Sequence, residues 1–250
     1  MEPRALAAVA ALCAAAAAPL AAQGAPAAPP PPPKPPLLHT QIDLGLVSTA
    51  GNTSVRTLNA AEQLVVRPGA WTFTQSLAVV DGTTGGVETA NNLKVGVRAD
   101  RTIGAGFRVF ALATFYRNRF AGVARQFEED LGLAYGVLAG PTHILDVEAG
   151  SGRNQLTGTD GTTAGYWTSR VAARYRFTFA PNAYAEQKAE LISDLQSLDN
   201  EQLNTETSLA APLSTHIALK LDYAVRFVSQ PQPTFKKTDT VFSAGLQLQF

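Results

Sequence analysis

In several segments of this 250-residue chain, charged side chains fall at alternate positions, between apolar ones. In residues 217–227, for example, Lys220, Asp222 and Arg226 alternate with apolar side chains. Two-residue alternation is typical of a β-strand whose two faces meet different surroundings, so these charges share one face. The predicted polar face carries Lys94, Arg98, Glu128, Asp130, Asp146, Glu148, Arg170, Arg174, Arg176, Glu186, Lys188, Glu190, Lys220, Asp222 and Arg226. Enclosed by a sheet, such a set would line the lumen of a barrel.

Two uses of these charges remain open. Acidic side chains on the predicted sixth and seventh strands flank Arg170, Arg174 and Arg176 on the eighth, so cross-strand ion pairs are geometrically available. In one interpretation, opposed acidic and basic walls line a narrow water-filled pore that screens solutes by size and charge. In the other, the charges pair across a barrel of modest diameter and close it.

The sequence does not indicate a catalytic or metal site. The histidines His39, His143 and His216 fall at the ends of separate predicted strands, too dispersed for a shared metal or for the His-dependent pair of a barrel hydrolase. Asp160 lies in a glycine turn that lacks the closely spaced oxygen ligands of a calcium loop. We therefore predict that the protein is not an enzyme and has no catalytic residue, metal or cofactor.

The alternating pattern runs through nearly all of the chain after residue 37. We count about 12 segments of roughly 9 to 13 residues, the length that crosses a bilayer when a strand is tilted. No segment shows sustained helical periodicity or approaches the length of a transmembrane helix. The chain has 20 basic and 20 acidic residues, and this zero formal charge argues against nucleic-acid binding.

The predicted connectors alternate in length. Tight turns are expected at residues 67–70, 103–106, 140–142, 181–182 and 212–214, and longer polar loops at residues 81–90, 156–165, 197–200 and 229–237. Short turns at one end and long loops at the other are typical of a membrane barrel. A soluble sandwich or lipocalin-like barrel is the alternative, because it would turn the same apolar faces inward.

Both faces carry apolar side chains in residues 54–66 and 107–116, so these two segments have no assigned face.

The predicted fold class is all-β: an antiparallel transmembrane β-barrel of about 12 strands, closed by pairing of the first and last strands. The first strand is expected at residues 41–48. In the last strand, Phe242, Leu246, Leu248 and the terminal Phe250 share one apolar face. A final strand that ends on an aromatic residue looks like the signal read by the outer-membrane barrel assembly machinery. Pairing with the first strand would also remove an exposed apolar edge.

The beginning of the chain predicts export. Residues 1–24 combine Arg4, an alanine-rich apolar stretch and small residues around a cleavage site, which is the pattern of a signal peptide. Residues 25–37 form an Ala/Pro-rich spacer expected to be extended, and residues 38–250 form the barrel. Cys13, the one cysteine, would leave with the signal peptide.

Several landmarks carry a family resemblance. They are Gly51-Asn52-Thr53, Asn118-Arg119-Phe120, Phe127-Glu128-Glu129, Gly132-Leu133-Ala134-Tyr135 and the segment from Pro233 to Asp239. Together they resemble the YdiY-like family of outer membrane proteins described as salt-induced, over nearly all of the chain after the proline tract. The resemblance implies an outer-membrane β-barrel of undetermined biochemical activity, without catalytic residues. Thr234 stands where glycine is expected in that family.

These observations lead to a functional hypothesis of a small passive diffusion channel or envelope-stress barrel in the cell outer membrane. A closed structural barrel with a salt-bridged lumen is the alternative, and an outer-membrane barrel enzyme is the most distant one. The expected partners are outer-membrane lipid, the barrel assembly machinery during biogenesis and small ions or solutes.

Overall fold

The computed structural model describes residues 36–49, 55–181 and 183–250, and the structural statements below concern these residues. The predicted signal peptide, nearly all of the spacer and the Gly51-Asn52-Thr53 landmark lie outside them. No helix among the described residues is long and apolar enough to span a membrane.

Twelve strands follow one another along the chain. They are β1 (Leu38–Thr49), β2 (Val55–Val66), β3 (Trp71–Thr84), β4 (Val87–Gly104), β5 (Phe107–Asn118), β6 (Val123–Ala139), β7 (His143–Gly158), β8 (Thr163–Ala180), β9 (Ala183–Asp194), β10 (Glu201–Pro212), β11 (Ile217–Val228) and β12 (Thr238–Gln249), with a short 3-10 helix at Arg119–Ala121. Each strand pairs antiparallel with its neighbours, and β1 pairs with β12, which closes the barrel. The predicted fold class is confirmed.

The closing seam is a regular antiparallel ladder from Gln41↔Gln249 to Leu44↔Leu246. Beyond it, Thr40 and Phe250 exchange backbone hydrogen bonds of 3.0 and 2.9 Å. The chain therefore ends inside the hydrogen-bonded wall. This end of the barrel also carries residues 67–70, 105–106, 140–142, 181 and 213–216, and we call it the turn end. The opposite end is called the loop end.

The apolar faces point outward. Leu131 on β6 is 67% exposed and Phe242 on β12 is 64% exposed, whereas the alternate residues Asp130 and Ala134 are buried. A soluble sandwich or lipocalin-like barrel would bury these leucines and phenylalanines in its core. Exposed large apolar side chains recur on the outward faces of strands all around the barrel, whereas a soluble monomer exposes such side chains only in small patches. The outer surface therefore faces hydrocarbon, and the barrel is transmembrane.

The two segments without an assigned face are explained by lumenal packing. On β5, Phe110 is 1% exposed and points inward, as do Tyr116 and Leu112, while Phe107 and Val109 are exposed outside. The inward rings of Phe110 and Tyr116 stack on arginine side chains from other strands. Apolar residues therefore occupy both faces of β5, and its sequence does not alternate. On β2, Val65 is buried on the lumenal face and Leu58 is exposed on the outer face.

Two predicted long loops are wrong. Residues 81–90 were expected to form a loop, but β3 continues to Thr84 and β4 begins at Val87, leaving only Gly85 and Gly86 between them. Both glycines have positive φ (59° and 81°), the backbone that two-residue hairpin turns require. The predicted loop at residues 156–165 shrinks to residues 159–162. In both segments, polar residues extend the backbone hydrogen-bonded ladder beyond the apolar part of the wall. Alternating hydrophobicity does not mark these polar strand ends.

Closure depends on a glycine at the seam. A Cβ at Gly245 would collide with the carbonyl oxygen of Leu44 on β1. We expect Gly245→Val to destabilise the folded barrel by about 1–3 kcal/mol through overpacking. Urea unfolding in lipid vesicles measures this loss, and Ala244→Val, one residue away on the exposed outer face, is the matched control. Equal unfolding midpoints for the two variants would contradict the assigned role of Gly245.

Candidate pore

A cavity of about 990 Å³ occupies the lumen. Of the fifteen residues proposed for the polar face, all but Asp130 and Arg226 line it. Asp130 is buried against the β7 backbone at Gly152, and Arg226 lies one inward position beyond Ala224, the last cavity-lining residue of β11. The lumenal charges are therefore gathered in one space, where their pairing decides how much of it is open.

A network of ion pairs fills one side of the lumen. Arg170 on β8 contacts Glu148 on β7 and Glu190 on β9, both at 2.7 Å. Arg98 on β4 reaches the same Glu148 at 2.9 Å. Phe110 lies beneath both guanidiniums, with its ring centroid 4.4 Å from that of Arg98 and 5.5 Å from that of Arg170. Because the four strands that supply these charges span from β4 to β9, the network braces this half of the wall from inside.

Further ion pairs involve residues that the sequence did not single out. Asp43 contacts Lys220 at 2.6 Å, Arg108 contacts Asp146 at 2.7 Å, and Glu206 contacts Lys188 at 2.9 Å. Asp43 lies between the apolar Ile42 and Leu44, so the alternation in the sequence was sufficient to assign its side chain to the lumenal face of β1. Arg108 lies in a segment without an assigned face, so no sequence signal identified it.

The remaining wall is lined by small or uncharged side chains. Ala61 on β2, Ser76 and Ala78 on β3, Gly96 on β4 and Ser243 on β12 all line the cavity. A Cβ at Gly96 would meet only the Ser76 hydroxyl within 4 Å, so no other group packs against this position. The lumen is thus asymmetric: paired charges dominate β7 to β9, and the lumenal side chains of β2 and β3 are uncharged.

Arg226 crosses the lumen near the loop end. One of its Nη atoms donates hydrogen bonds to Gln126 on β6 at 2.7 Å and to Gln202 on β10 at 2.9 Å. Its guanidinium also stacks on Tyr116 of β5 at 3.9 Å from the ring centroid. In a ring of twelve strands, β11 and β5 are diametrically opposed. The Arg226 side chain therefore joins opposite walls of the lumen.

Residues 229–237, between β11 and β12, reach to the far side of the loop end. A Cβ at Gly122, beside the 3-10 helix, would lie 2.7 Å from the Phe235 ring. Gln232 lies 3.2 Å from Thr162, in the β7–β8 connector. We call residues 229–237 the lid. Thr234 within it has a φ of 75°, the left-handed backbone that favours glycine, which explains physically why glycine suits this position.

Positive charges face one another at the turn end. Arg67 follows β2, and Arg174 and Arg176 project from β8, which is six strands away. Partial burial lowers the pKa of the Arg67 guanidinium, and the charge of Arg174 lowers it further. Arg67 donates a hydrogen bond to the carbonyl of Pro36 at 3.2 Å, while Arg176 is paired with Glu186 at 2.6 Å. This turn-end rim, with His39, is basic.

The other candidates take separate positions. His39 lines the cavity, His143 stacks on Tyr175 and Phe177, and His216 stacks on Phe250. The Asp160 carboxylate accepts hydrogen bonds from the backbone and hydroxyl of Thr162, which lower its pKa. Among the described residues, no group of three or more His, Cys, Asp or Glu could hold a metal ion.

The residues proposed as an assembly signal lie at the closing seam. Phe242, Leu246 and Phe250 are exposed on the outer surface, and Leu248 lies on the same face of β12. They border β1, the strand with which β12 pairs to close the barrel.

Comparison with known proteins places this geometry among outer-membrane barrels. A family model described as "Protein of unknown function, DUF481" matches residues 42–250. The structure of the NanC porin superposes with a TM-score of 0.52 at 10% identity, covering 83% of this chain and 98% of that one. The translocator domain of the autotransporter NalP from Neisseria meningitidis gives a TM-score of 0.49 at 12% identity, covering 85% and 87%.

The outer membrane channel COG4313 from Pseudomonas putida F1 gives a TM-score of 0.48 at 10% identity, covering 85% of this chain and 94% of that one. No curated protein matches the sequence. At 10% identity, the likeness to the NanC porin shows a shared fold alone.

Two arginines on β8 should differ sharply in their contribution to stability. The Arg170 side chain is 7% exposed and bridges two carboxylates, whereas Arg174 is 45% exposed and lies 3.7 Å from Glu186. Removing one member of a buried ion pair costs about 3–5 kcal/mol, because the remaining charges stay buried without a partner. We expect Arg170→Ala to lower the free energy of unfolding by about 3 kcal/mol. Arg174→Ala should change it by no more than about 0.5 kcal/mol.

Urea titration of the barrel in lipid vesicles, followed by the fluorescence of Trp71 and Trp167, measures both values. Equal losses for the two variants would contradict the assignment of Arg170 as the centre of the network.

Proposed function

This chain belongs to the DUF481 family of proteins of unknown function, and from its lumenal geometry we propose that it is a narrow passive diffusion channel of the bacterial outer membrane. One observation carries the proposal: the cavity of about 990 Å³ is bordered by uncharged side chains on β2 and β3, while most of the charges that line it are engaged in ion pairs. An ion or small solute on this path meets polar groups without a strong trapping charge, as passive conduction requires.

The ion pairs also set the width of the path. Arg98, Glu148 and Arg170 occupy lumenal volume that a barrel of twelve strands would otherwise leave to water. A channel of this kind passes small hydrophilic solutes and excludes large ones. In this proposal, transport is driven by the concentration gradient, and no residue of the lumen performs covalent chemistry.

The proposal includes an orientation and a route of export. The turn end, where Leu38 and Phe250 lie, faces the periplasm, as the short turns of outer-membrane barrels do. Residues 1–24 act as a cleaved signal peptide, residues 25–37 remain as a periplasmic spacer, and the Phe250 strand is recognised by the assembly machinery. Induction by salt, which the family resemblance implies, is part of the same proposal.

A closed structural barrel is the second candidate, and specific contacts favour it. Arg226 bars the lumen, and the lid touches Gly122 and Thr162 on the opposite side. In the channel proposal these contacts form the gate, and in the closed barrel they are permanent. The two candidates therefore make different predictions. In the channel, breaking or cross-linking these contacts changes the conductance, and in the closed barrel it does not.

Planar-bilayer recording separates the candidates. We expect discrete conductance steps from the mature protein. Arg226→Ala should give larger steps, because this variant lacks the side chain that crosses the lumen. Thr162→Cys combined with Gln232→Cys places two thiols where the lid meets the β7–β8 connector, in a mature chain without other cysteines. Oxidation should suppress the openings, and a reducing agent should restore them.

Each single-cysteine variant is the control for this experiment, because it cannot form the intramolecular disulfide. Silent bilayers from both the wild-type protein and Arg226→Ala, with inserted and folded protein demonstrated, would contradict the channel and support the closed barrel.

The basic rim at the turn end should impose a preference for anions. Arg67 and Arg174 face each other there. Arg67 has no ion pair among the described residues, and Arg174 is 3.7 Å from Glu186, a carboxylate that Arg176 already contacts at 2.6 Å. We expect reversal potentials in a salt gradient to indicate anion preference, and Arg67→Gln with Arg174→Gln to shift them toward cations. Arg101→Gln, on the outer surface beside Trp71, should leave them unchanged. An unchanged reversal potential in the double variant would contradict the role of the rim.

A further inference from the structure

A second basic site lies outside the barrel, on the outer face of β6, β7 and β8 near the loop end. It is a groove of about 490 Å³. We call it the outer groove and define it by the lining residues Arg125, Phe127, Arg153, Gln155, Thr157 and Gly165. The outer groove is separate from the lumen and from the residues of the proposed pore.

The two arginines of the outer groove are not neutralised by a contacting acid. Arg125 donates a hydrogen bond to the Thr157 hydroxyl at 3.2 Å. Arg153 is in register with Glu129, yet no carboxylate of the described residues lies within ion-pairing distance of either guanidinium. Most of the charges in the lumen are engaged in ion pairs, whereas these two arginines lie together on the outer face without a contacting acid. Their position therefore requires a different explanation.

The surroundings place these guanidiniums at the edge of the hydrocarbon layer. Towards the turn end, the outward positions become apolar, with Leu131 and Leu133 on β6 and Val171 on β8. The exposed rings of Phe127 and Trp167 lie at the level of the arginines, and Trp167 is in register with Arg153. Aromatic rings at this boundary are typical of the membrane interface. The arginines therefore sit at the depth where lipid headgroups begin.

The floor of the outer groove leaves room for a ligand. Gly165 has no side chain, and a Cβ there would lie 4.0 Å from an Nη atom of Arg153. The Gln155 amide and Thr157 hydroxyl border the same space and offer further polar groups. Guanidinium groups bind phosphate oxygens in bidentate geometry, and two of them on adjacent strands can share one phosphate or hold two.

We propose that the outer groove binds the phosphorylated headgroup of an anionic lipid in the outer leaflet. The phosphate is held by Arg125 and Arg153, headgroup hydroxyls meet Gln155 and Thr157, and the acyl chains descend along Phe127 and Leu131. The site is confined to one sector of the outer face, because all of its lining residues belong to β6, β7 and β8. The inference rests on the proposed outer-membrane orientation but not on conduction.

The test is a lipid titration of the folded barrel in a zwitterionic detergent, read by native mass spectrometry and by Trp fluorescence. The probe is diphosphorylated lipid A, with phosphatidylcholine and inorganic phosphate as comparison ligands. We expect retention of lipid A, with an apparent affinity reduced roughly ten- to hundredfold in the variant carrying Arg125→Gln and Arg153→Gln. Arg153→Lys should give an intermediate loss, because it keeps the charge but not the bidentate geometry.

Arg56→Gln is the matched control, since Arg56 is an exposed residue near the loop end of β2, outside the outer groove. Heat-modifiable migration on gels verifies that every variant is folded. Equal lipid A binding by the wild type and the double variant would overturn the proposal. So would equal binding of phosphatidylcholine, or equal binding of inorganic phosphate, which would show a free-anion site. Because conductance is not measured, the result is independent of whether the lumen is open.

Discussion

Satisfaction of the backbone hydrogen bonds in hydrocarbon is the constraint on which the rest of this structure depends. A lipid-exposed strand edge would leave amide and carbonyl groups without partners, each at a cost of several kcal/mol. The seam between β1 and β12, extended by the paired backbone of Thr40 and Phe250, removes that edge. Gly245 permits the close approach of the two strands. With the ladder closed, side chains can only point to lipid or to the lumen.

Because the wall is closed, the charged side chains of its inner face are enclosed in the lumen. A charge on the lumenal face has limited access to water, so it must find a partner. Arg170 does so by joining Glu148 and Glu190, and Arg98 adds a link from β4. Most of these pairs lie on β7 to β9, and the uncharged lumenal residues of β2 and β3 lie across from them. The charged strands are thus braced from inside, while the strands opposite carry no lumenal charge.

The two ends of the barrel are specialised in different ways. At the loop end, Arg226 and the lid bring together elements from opposite sides of the ring. Thr234 adopts a left-handed backbone inside the lid, a conformation that costs a β-branched residue about 1–2 kcal/mol. The docking contacts of Phe235 and Gln232 offset this cost. At the turn end, by contrast, Arg67 and Arg174 face each other without such contacts between them.

Local patterns in the sequence determined the fold and the face of most charges. Alternation such as Leu219, Lys220, Leu221 depends only on neighbouring positions, and it predicted the strands, the outward apolar surface and closure by the last strand. Only the tertiary structure decided the partners: Arg226 with Tyr116, Arg98 with Glu148, and Phe235 against Gly122 join strands far apart in the chain. It also assigned the faces of β5, where Phe110 is inside because two arginines cover it. The physical reason is that periodicity fixes which side of the wall a residue faces, whereas distances across a lumen depend on strand number and stagger.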